Sequence, residues 1–137
     1  MQNTLLDAGP LIALFDSSDT HHKRLLNFFK SYNATFHTTW PVITEVMHFL
    51  NFNPNVQSDF LKWLGRDPIS INAQNKNSLE KIRTLILKYQ NVPMDLADAS
   101  LLLLSEEEGI NHILTLDKDY IVYRSKKKKF IYVLANS

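Results

Sequence analysis

An apolar run, an acidic residue and a helix start follow one another directly in the stretch Asn3-Thr-Leu-Leu-Asp7-Ala-Gly-Pro10-Leu-Ile-Ala-Leu-Phe15. Residues 3–6 are typical of a short buried strand, and Asp7 stands where that strand ends. Proline suits the first turn of a helix, where its missing N–H is not needed, so Gly9-Pro10 indicates a helix start. The stretch therefore predicts a strand that leads through an acidic residue into a helix.

The alternation of strands and helices continues to the end of the chain. Strands separated by helical segments favour a parallel sheet that is covered on both faces. The chain has 137 residues, which is the size of one domain, so we expect a single domain over residues 1–137. The further strands are predicted at residues 35–38, 68–72, 112–116 and 130–134. The further helices are predicted from residue 19 or 20, from 39–41 with Thr39 or Trp40 as the cap, from 55 to 65, at 78–89, and from Asp98 to a stop at Gly109, with Asp95 as the cap.

The composition excludes several classes of protein. There is no cysteine, which rules out disulfides and thiolate metal sites and suits a reducing cytosol, so we expect a cytoplasmic protein. The N-terminus does not have the pattern of a signal peptide, and no apolar run approaches the roughly 20 residues of a membrane span. The formal net charge is +1, so the total charge argues neither for nor against a nucleic-acid partner.

Four acidic residues lie at the ends of predicted core elements: Asp7, Glu45, Asp98 and Asp117. The ligand site of a parallel α/β sheet lies outside the carboxyl ends of the strands, where these residues can meet. Burying an unpaired carboxylate is costly, and the simplest partner for several converging carboxylates is Mg²⁺ or Mn²⁺. Each residue taken alone has an ordinary alternative role as a helix cap, a first-turn acid, a turn residue or a solvated helix residue. Their joint order favours the metal site.

Four segments of the chain resemble the signature segments of PIN domains, and most closely those of the VapC-like toxins of bacterial and archaeal toxin–antitoxin pairs. The resemblance extends over essentially the whole chain, and the segments follow in the expected order. They are Leu6-Asp7-Ala-Gly-Pro-Leu-Ile-Ala, Thr44-Glu45-Val, Met94-Asp-Leu-Ala-Asp98-Ala-Ser-Leu and Ile113-Leu-Thr-Leu-Asp117-Lys-Asp119-Tyr.

This resemblance implies a three-layer α/β/α sandwich with a central parallel sheet. It also implies an endoribonuclease that depends on Mg²⁺ or Mn²⁺, with Asp7, Asp98 and Asp117 as the metal shell. Glu45 is then either a further ligand or the residue that orients the attacking water. Asp95 and Asp119 are additional acids, and either of them could coordinate metal in place of its neighbour.

The resemblance also implies partners. RNA is the expected substrate, and a small antitoxin protein is expected to cover the site. Such domains commonly pair through helices, so a homodimer is expected. The aromatic residues on the second and fourth helices are candidates for its interface or, equally, for the core: Phe28, Phe29, Phe60 and Trp63.

Several polar and basic residues are candidates for binding the RNA. Thr115 precedes the last acid and could bond a metal-bound water or the scissile phosphate. Lys118, Arg124 and the run Lys126 to Lys129 could contact the RNA backbone, since phosphate contacts position a strand without reading its sequence. Trp40 could stack on an unpaired base, although tryptophans are more often core or interface residues.

Two other functions compete with the nuclease. A catalytically silent PIN-like module would keep the acids and act by binding RNA or protein. A phosphoacceptor receiver domain is also an α/β fold with an acidic pocket. It needs an acceptor aspartate after a middle strand, and no such residue is evident here, so it ranks last.

Overall fold

The computed structural model describes residues 1–92, 94–117 and 130–134. Strands and helices alternate through this part of the chain, as the sequence predicts. The elements in order are β1 (Gln2–Leu6), α1 (Ala8–Phe15), α2 (His22–Ser31), β2 (Ala34–Thr39), α3 (Trp40–Phe49), α4 (Pro54–Leu64), β3 (Ser70–Asn72), a 3₁₀ turn (Lys76–Ser78), α5 (Leu79–Lys88), α6 (Leu96–Glu108), β4 (His112–Leu114) and β5 (Ile131–Tyr132).

The strands form one parallel sheet in the order β3-β2-β1-β4-β5. The chain moves outward from β1 to β2 and β3, and then returns to place β4 on the other side of β1. Both the outward and the returning connections contain helices, and these helices flank the sheet. The predicted sandwich with a central parallel sheet is thus confirmed. The reversal of direction creates a switch point between β1 and β4, where ligands bind in such sheets.

Several predicted boundaries differ from those observed. The first helix begins at Ala8 rather than at Pro10, because the Asp7 side chain accepts a hydrogen bond from the Ala8 N–H and caps the helix there. Strand β4 ends at Leu114 rather than at residue 116, because the chain after it turns towards Asp7. The helix predicted from residue 19 or 20 begins at His22, and the last strand is shorter than predicted.

Helix α6 forms the centre of the core. Residues 97 and 99–104 are all buried, which is the pattern of a helix surrounded by protein on every side. It packs against α3, α5 and β2. Its first turn therefore has a fixed position at the carboxyl edge of the sheet, and Gly109 ends it in the left-handed conformation at φ 66°.

The aromatic residues considered for a dimer interface belong at least partly to this core. Phe60 is fully buried, and Phe28, Phe29 and Trp63 pack against the core while keeping some exposure. Phe60 is therefore a core residue, and a dimer interface remains a prediction for the other three. In the described part of the chain, no helix has the length and apolar character needed to cross a membrane.

Candidate metal centre

Asp7 is held rigidly at the switch point between β1 and β4. Its Oδ1 accepts the Ala8 N–H at 2.8 Å, and its Oδ2 accepts the Thr115 hydroxyl at 2.7 Å. The residue is only 6% exposed. This burial raises the pKa of its carboxyl, an effect opposed by the bonds from Thr115 and Ala8 and reinforced by the charges of Asp117 and Asp95. Asp7 thus caps a helix and also presents a carboxylate that a cation would stabilise.

Thr115 links Asp7 to the segment after β4. Its hydroxyl donates to Asp7 and accepts the Asp117 N–H at 2.9 Å. The hydroxyl therefore donates its only hydrogen to Asp7. This bond orients the Asp7 carboxylate and ties it to the segment that carries Asp117. The predicted contact of Thr115 with a metal-bound water or phosphate stays a prediction.

The start of α6 supplies two more carboxylates. Asp95 is the N-cap residue, and its Oδ1 accepts the Asp98 N–H at 2.8 Å. The capping role considered for Asp95 is therefore correct. Both residues nevertheless line the same cavity as Asp7, so capping does not exclude them from a metal site.

Glu45 reaches the cavity from the middle of α3. Desolvation raises the pKa of its carboxyl to about 7, and the neighbouring negative charges of Asp95, Asp7, Asp98 and Asp117 add to this shift. Taken alone, the sequence around Glu45 favours a solvated helix residue over a site residue. The fold instead brings Glu45 into the field of four other acids.

The cavity has a volume of about 440 Å³ and lies beside the carboxyl ends of β1 and β4. It contains all four of the predicted acids together with Asp95, and its remaining wall is small or apolar. The lining residues are Asp7, Ala8, Gly9, Ile12, Glu45, Asp95, Asp98, Leu116 and Asp117. Asp119, Lys118, Arg124 and Lys126, which were predicted to contribute, lie outside the described residues.

The donor set of this cavity fits a hard divalent cation. Among the residues that the structure describes, the charged groups lining the cavity are all carboxylates, which suit Mg²⁺ and Mn²⁺ rather than softer metals. The raised pKa values of Asp7 and Glu45 show that these acids are crowded and desolvated. Within the described ranges, no three His, Asp or Glu side chains are already arranged to enclose a metal ion. Mg²⁺ usually takes only one or two carboxylates directly and keeps several waters, so the residues still fit such an ion.

Two structural features near the cavity are not indicated by any local sequence pattern. Gly9 lies so close to the segment after β4 that an added Cβ would be 3.4 Å from the Leu116 Cβ. A helix-starting Gly-Pro pair does not signal this approach. Thr39 and Ser100, both fully buried, bond through their hydroxyls at 2.6 Å and join the end of β2 to α6. Thr39, considered as a helix cap, occupies the N-cap position without a side-chain capping bond.

The raised pKa of Glu45 predicts a pH dependence of stability. Protonated Glu45 stabilises the fold below its ordinary pKa of 4.5, and this contribution is lost as the pH rises through about 7. The free energy of unfolding of the wild type should therefore fall as the pH rises from about 4.5 to about 7. In EDTA, we expect this fall to be about 1 kcal/mol smaller in Glu45→Gln, a value that already includes a reduction for solvent screening. Urea denaturation at several pH values measures it.

The matched control is Glu106→Gln, which neutralises an exposed glutamate of α6 that does not line the cavity. Its pH profile should follow that of the wild type. Equal profiles for the wild type and Glu45→Gln would contradict the placement of Glu45 among the other acids.

Comparison with known proteins agrees with this fold. The sequence matches the PIN domain family over residues 4–126. The structure is similar to that of the toxin VapC20 of Mycobacterium tuberculosis, which cleaves the sarcin–ricin loop, with a TM-score of 0.77 and 14% sequence identity over 85% of this chain and 91% of that one. No curated protein sequence matches. The family match covers most of the chain and confirms the resemblance of its four acidic segments, so this protein belongs to the PIN domain family.

Proposed function

We propose that this protein is a metal-dependent endoribonuclease that hydrolyses RNA phosphodiester bonds. The observation that carries the proposal is the convergence of five carboxylates, from four separate segments of the chain, in one cavity of a PIN fold. Such a cluster alone repels phosphate, whereas the same cluster with a divalent cation attracts it.

Asp7, Asp98 and Asp117 are the residues that would hold Mg²⁺ or Mn²⁺, with Glu45, Asp95 and Asp119 as further candidates. The bound ion supplies charge neutralisation and activation of the attacking water. Thr115 keeps the Asp7 carboxylate in a fixed orientation by donating its hydroxyl hydrogen to Oδ2. Glu45 presents its carboxylate to the cavity from α3, where it can orient the attacking water or accept a proton from it.

The proposal extends to the biological setting. We infer that the protein is the toxin of a type II toxin–antitoxin pair, acts in the cytoplasm, and forms a homodimer. A small antitoxin protein would cover the acidic cavity. The similarity in fold to a toxin that cleaves the sarcin–ricin loop supports this class of role, and RNA in general is the substrate that we propose.

Cleavage of RNA by the purified protein tests the function directly. We expect cleavage with Mn²⁺ or Mg²⁺, loss of cleavage in excess EDTA, and recovery when Mn²⁺ is added back. Products with 5′-phosphate and 3′-hydroxyl ends distinguish this reaction from contaminating metal-independent ribonucleases. Cleavage that persists in EDTA would contradict the proposal. Binding of RNA with neither cleavage nor Mn²⁺ binding would favour a catalytically silent module.

A further inference from the structure

Trp40 is an exposed tryptophan that the core does not use. Its side chain is 54% exposed, and it is neither a core residue nor one of those that pack against the core. Among the described residues, no ring pair includes it, whereas Trp63 contacts the rings of Phe15 and Phe60. Burying a large aromatic ring is favourable, so a ring left in water at a fixed position is available for a ligand.

The backbone of Trp40 directly follows β2 and so lies at the carboxyl edge of the sheet, the edge that holds the carboxylate cavity. Thr39, the preceding residue, is held by its hydroxyl bond to Ser100, and Ser100 is only two residues from Asp98 in α6. Trp40 is also the first residue of α3, so its backbone lies about 7.5 Å along the helix axis from that of Glu45. The start of α3 at Trp40 is therefore tied to α6, the helix that presents Asp98.

The described residues of the cavity offer nothing on which a base can stack. They are five carboxylates and small or aliphatic residues, with no aromatic ring among them. A nucleotide whose phosphate entered this cavity would leave its base outside, at the rim. Leu96, which is 52% exposed and follows the cavity residue Asp95, adds a second apolar side chain at this rim.

We propose that Trp40 is the stacking surface for an unpaired base next to the scissile phosphate, and that Leu96 offers a further apolar side chain near the cavity. Proteins that bind single-stranded RNA stack unpaired bases on aromatic rings, and such stacking tolerates any base. A neutral ring is suited to this rim, because the surrounding carboxylates disfavour further contacts to phosphate. This inference rests on the proposed ribonuclease function and adds to it a substrate subsite and a requirement for single-stranded RNA.

Fluorescence of Trp40 tests the stacking without requiring catalysis. The chain has two tryptophans, so Trp63→Phe leaves Trp40 as the only indole. With Mn²⁺, a short single-stranded 2′-O-methyl phosphorothioate oligonucleotide of mixed sequence should quench Trp40 emission, and the same sequence in a blunt duplex should not. Anisotropy of the labelled oligonucleotide reports binding independently. Binding without quenching would overturn the proposal.

Cleavage kinetics of single-stranded RNA provide the second test. Trp40→Ala should raise KM about tenfold with little change in kcat, and Trp40→Phe should restore most of the affinity. The control is Phe49→Ala, because Phe49 is also 54% exposed and lies at the opposite end of α3. An equal rise in KM for Phe49→Ala would overturn the stacking role. A change in Trp40 emission that follows the concentration of protein rather than of oligonucleotide would also overturn it and would indicate a protein interface. If the wild type does not cleave RNA, the ribonuclease proposal fails, while quenching still decides whether Trp40 binds a base.

Discussion

Replacing Asp98 with asparagine should lower RNA cleavage by at least about 100-fold, because it removes from the first turn of α6 a carboxylate that we propose to bind the metal. Asparagine keeps the size of the side chain, and the backbone N–H at this position still bonds Asp95. The fold and the helix cap should therefore be retained. Measurement of kcat/KM on a fluorescent RNA in Mn²⁺, together with a circular dichroism melt, checks both expectations.

The control for this variant is Asp59→Asn, which makes the same chemical change at an exposed position of α4 outside the cavity. Its activity should remain within about twofold of wild type, as is usual for a surface substitution. An Asp98→Asn protein with activity close to that of Asp59→Asn would remove Asp98 from the metal shell.

The second large effect is expected for Asp7→Asn, which should be more stable than the wild type without metal and less stable than the wild type with Mn²⁺. The pKa of Asp7 is raised in the folded state, so its charged form destabilises the fold near neutral pH. In EDTA, Asp7→Asn should therefore be more stable than wild type. At Mn²⁺ concentrations about 100 times the dissociation constant, the wild type gains about 2.7 kcal/mol, or roughly 10 °C in melting temperature, which the variant should largely lack.

Thermal melts of both proteins in EDTA and in Mn²⁺ measure this reversal, and isothermal calorimetry gives the dissociation constant. An equal rise in melting temperature for both proteins would place the metal site away from Asp7. A wild type that is more stable than Asp7→Asn even in EDTA would show that the hydrogen bonds from Thr115 and Ala8 outweigh the burial of the charge.

The acids that line the cavity could be predicted from the chain because the prediction depends on residue type and order. Asp7, Glu45, Asp98 and Asp117 each follow, interrupt or precede an apolar run, and those runs predict where strands end and helices begin. Local signals were also sufficient for the N-cap at Asp95 and the C-terminal stop at Gly109, since these depend on a few neighbouring residues. The parallel sheet followed from the alternation of elements.

Other features depended on contacts between distant parts of the chain. Thr115 bonds Asp7 across 108 positions, and Thr39 bonds Ser100 across 61, so no local pattern announces either pair. Trp40 and Phe60 are both aromatic residues in helices, yet Trp40 is exposed beside the cavity and Phe60 is fully buried.

The sequence by itself therefore determined the succession of strands and helices and the identity of the acids, since both depend on local patterns of apolar, acidic and helix-ending residues. Only the tertiary structure decided that the strand order β3-β2-β1-β4-β5 brings those acids into one cavity and desolvates Glu45. The physical reason is that burial and mutual repulsion of charges depend on distances through space, which strand order and helix packing set.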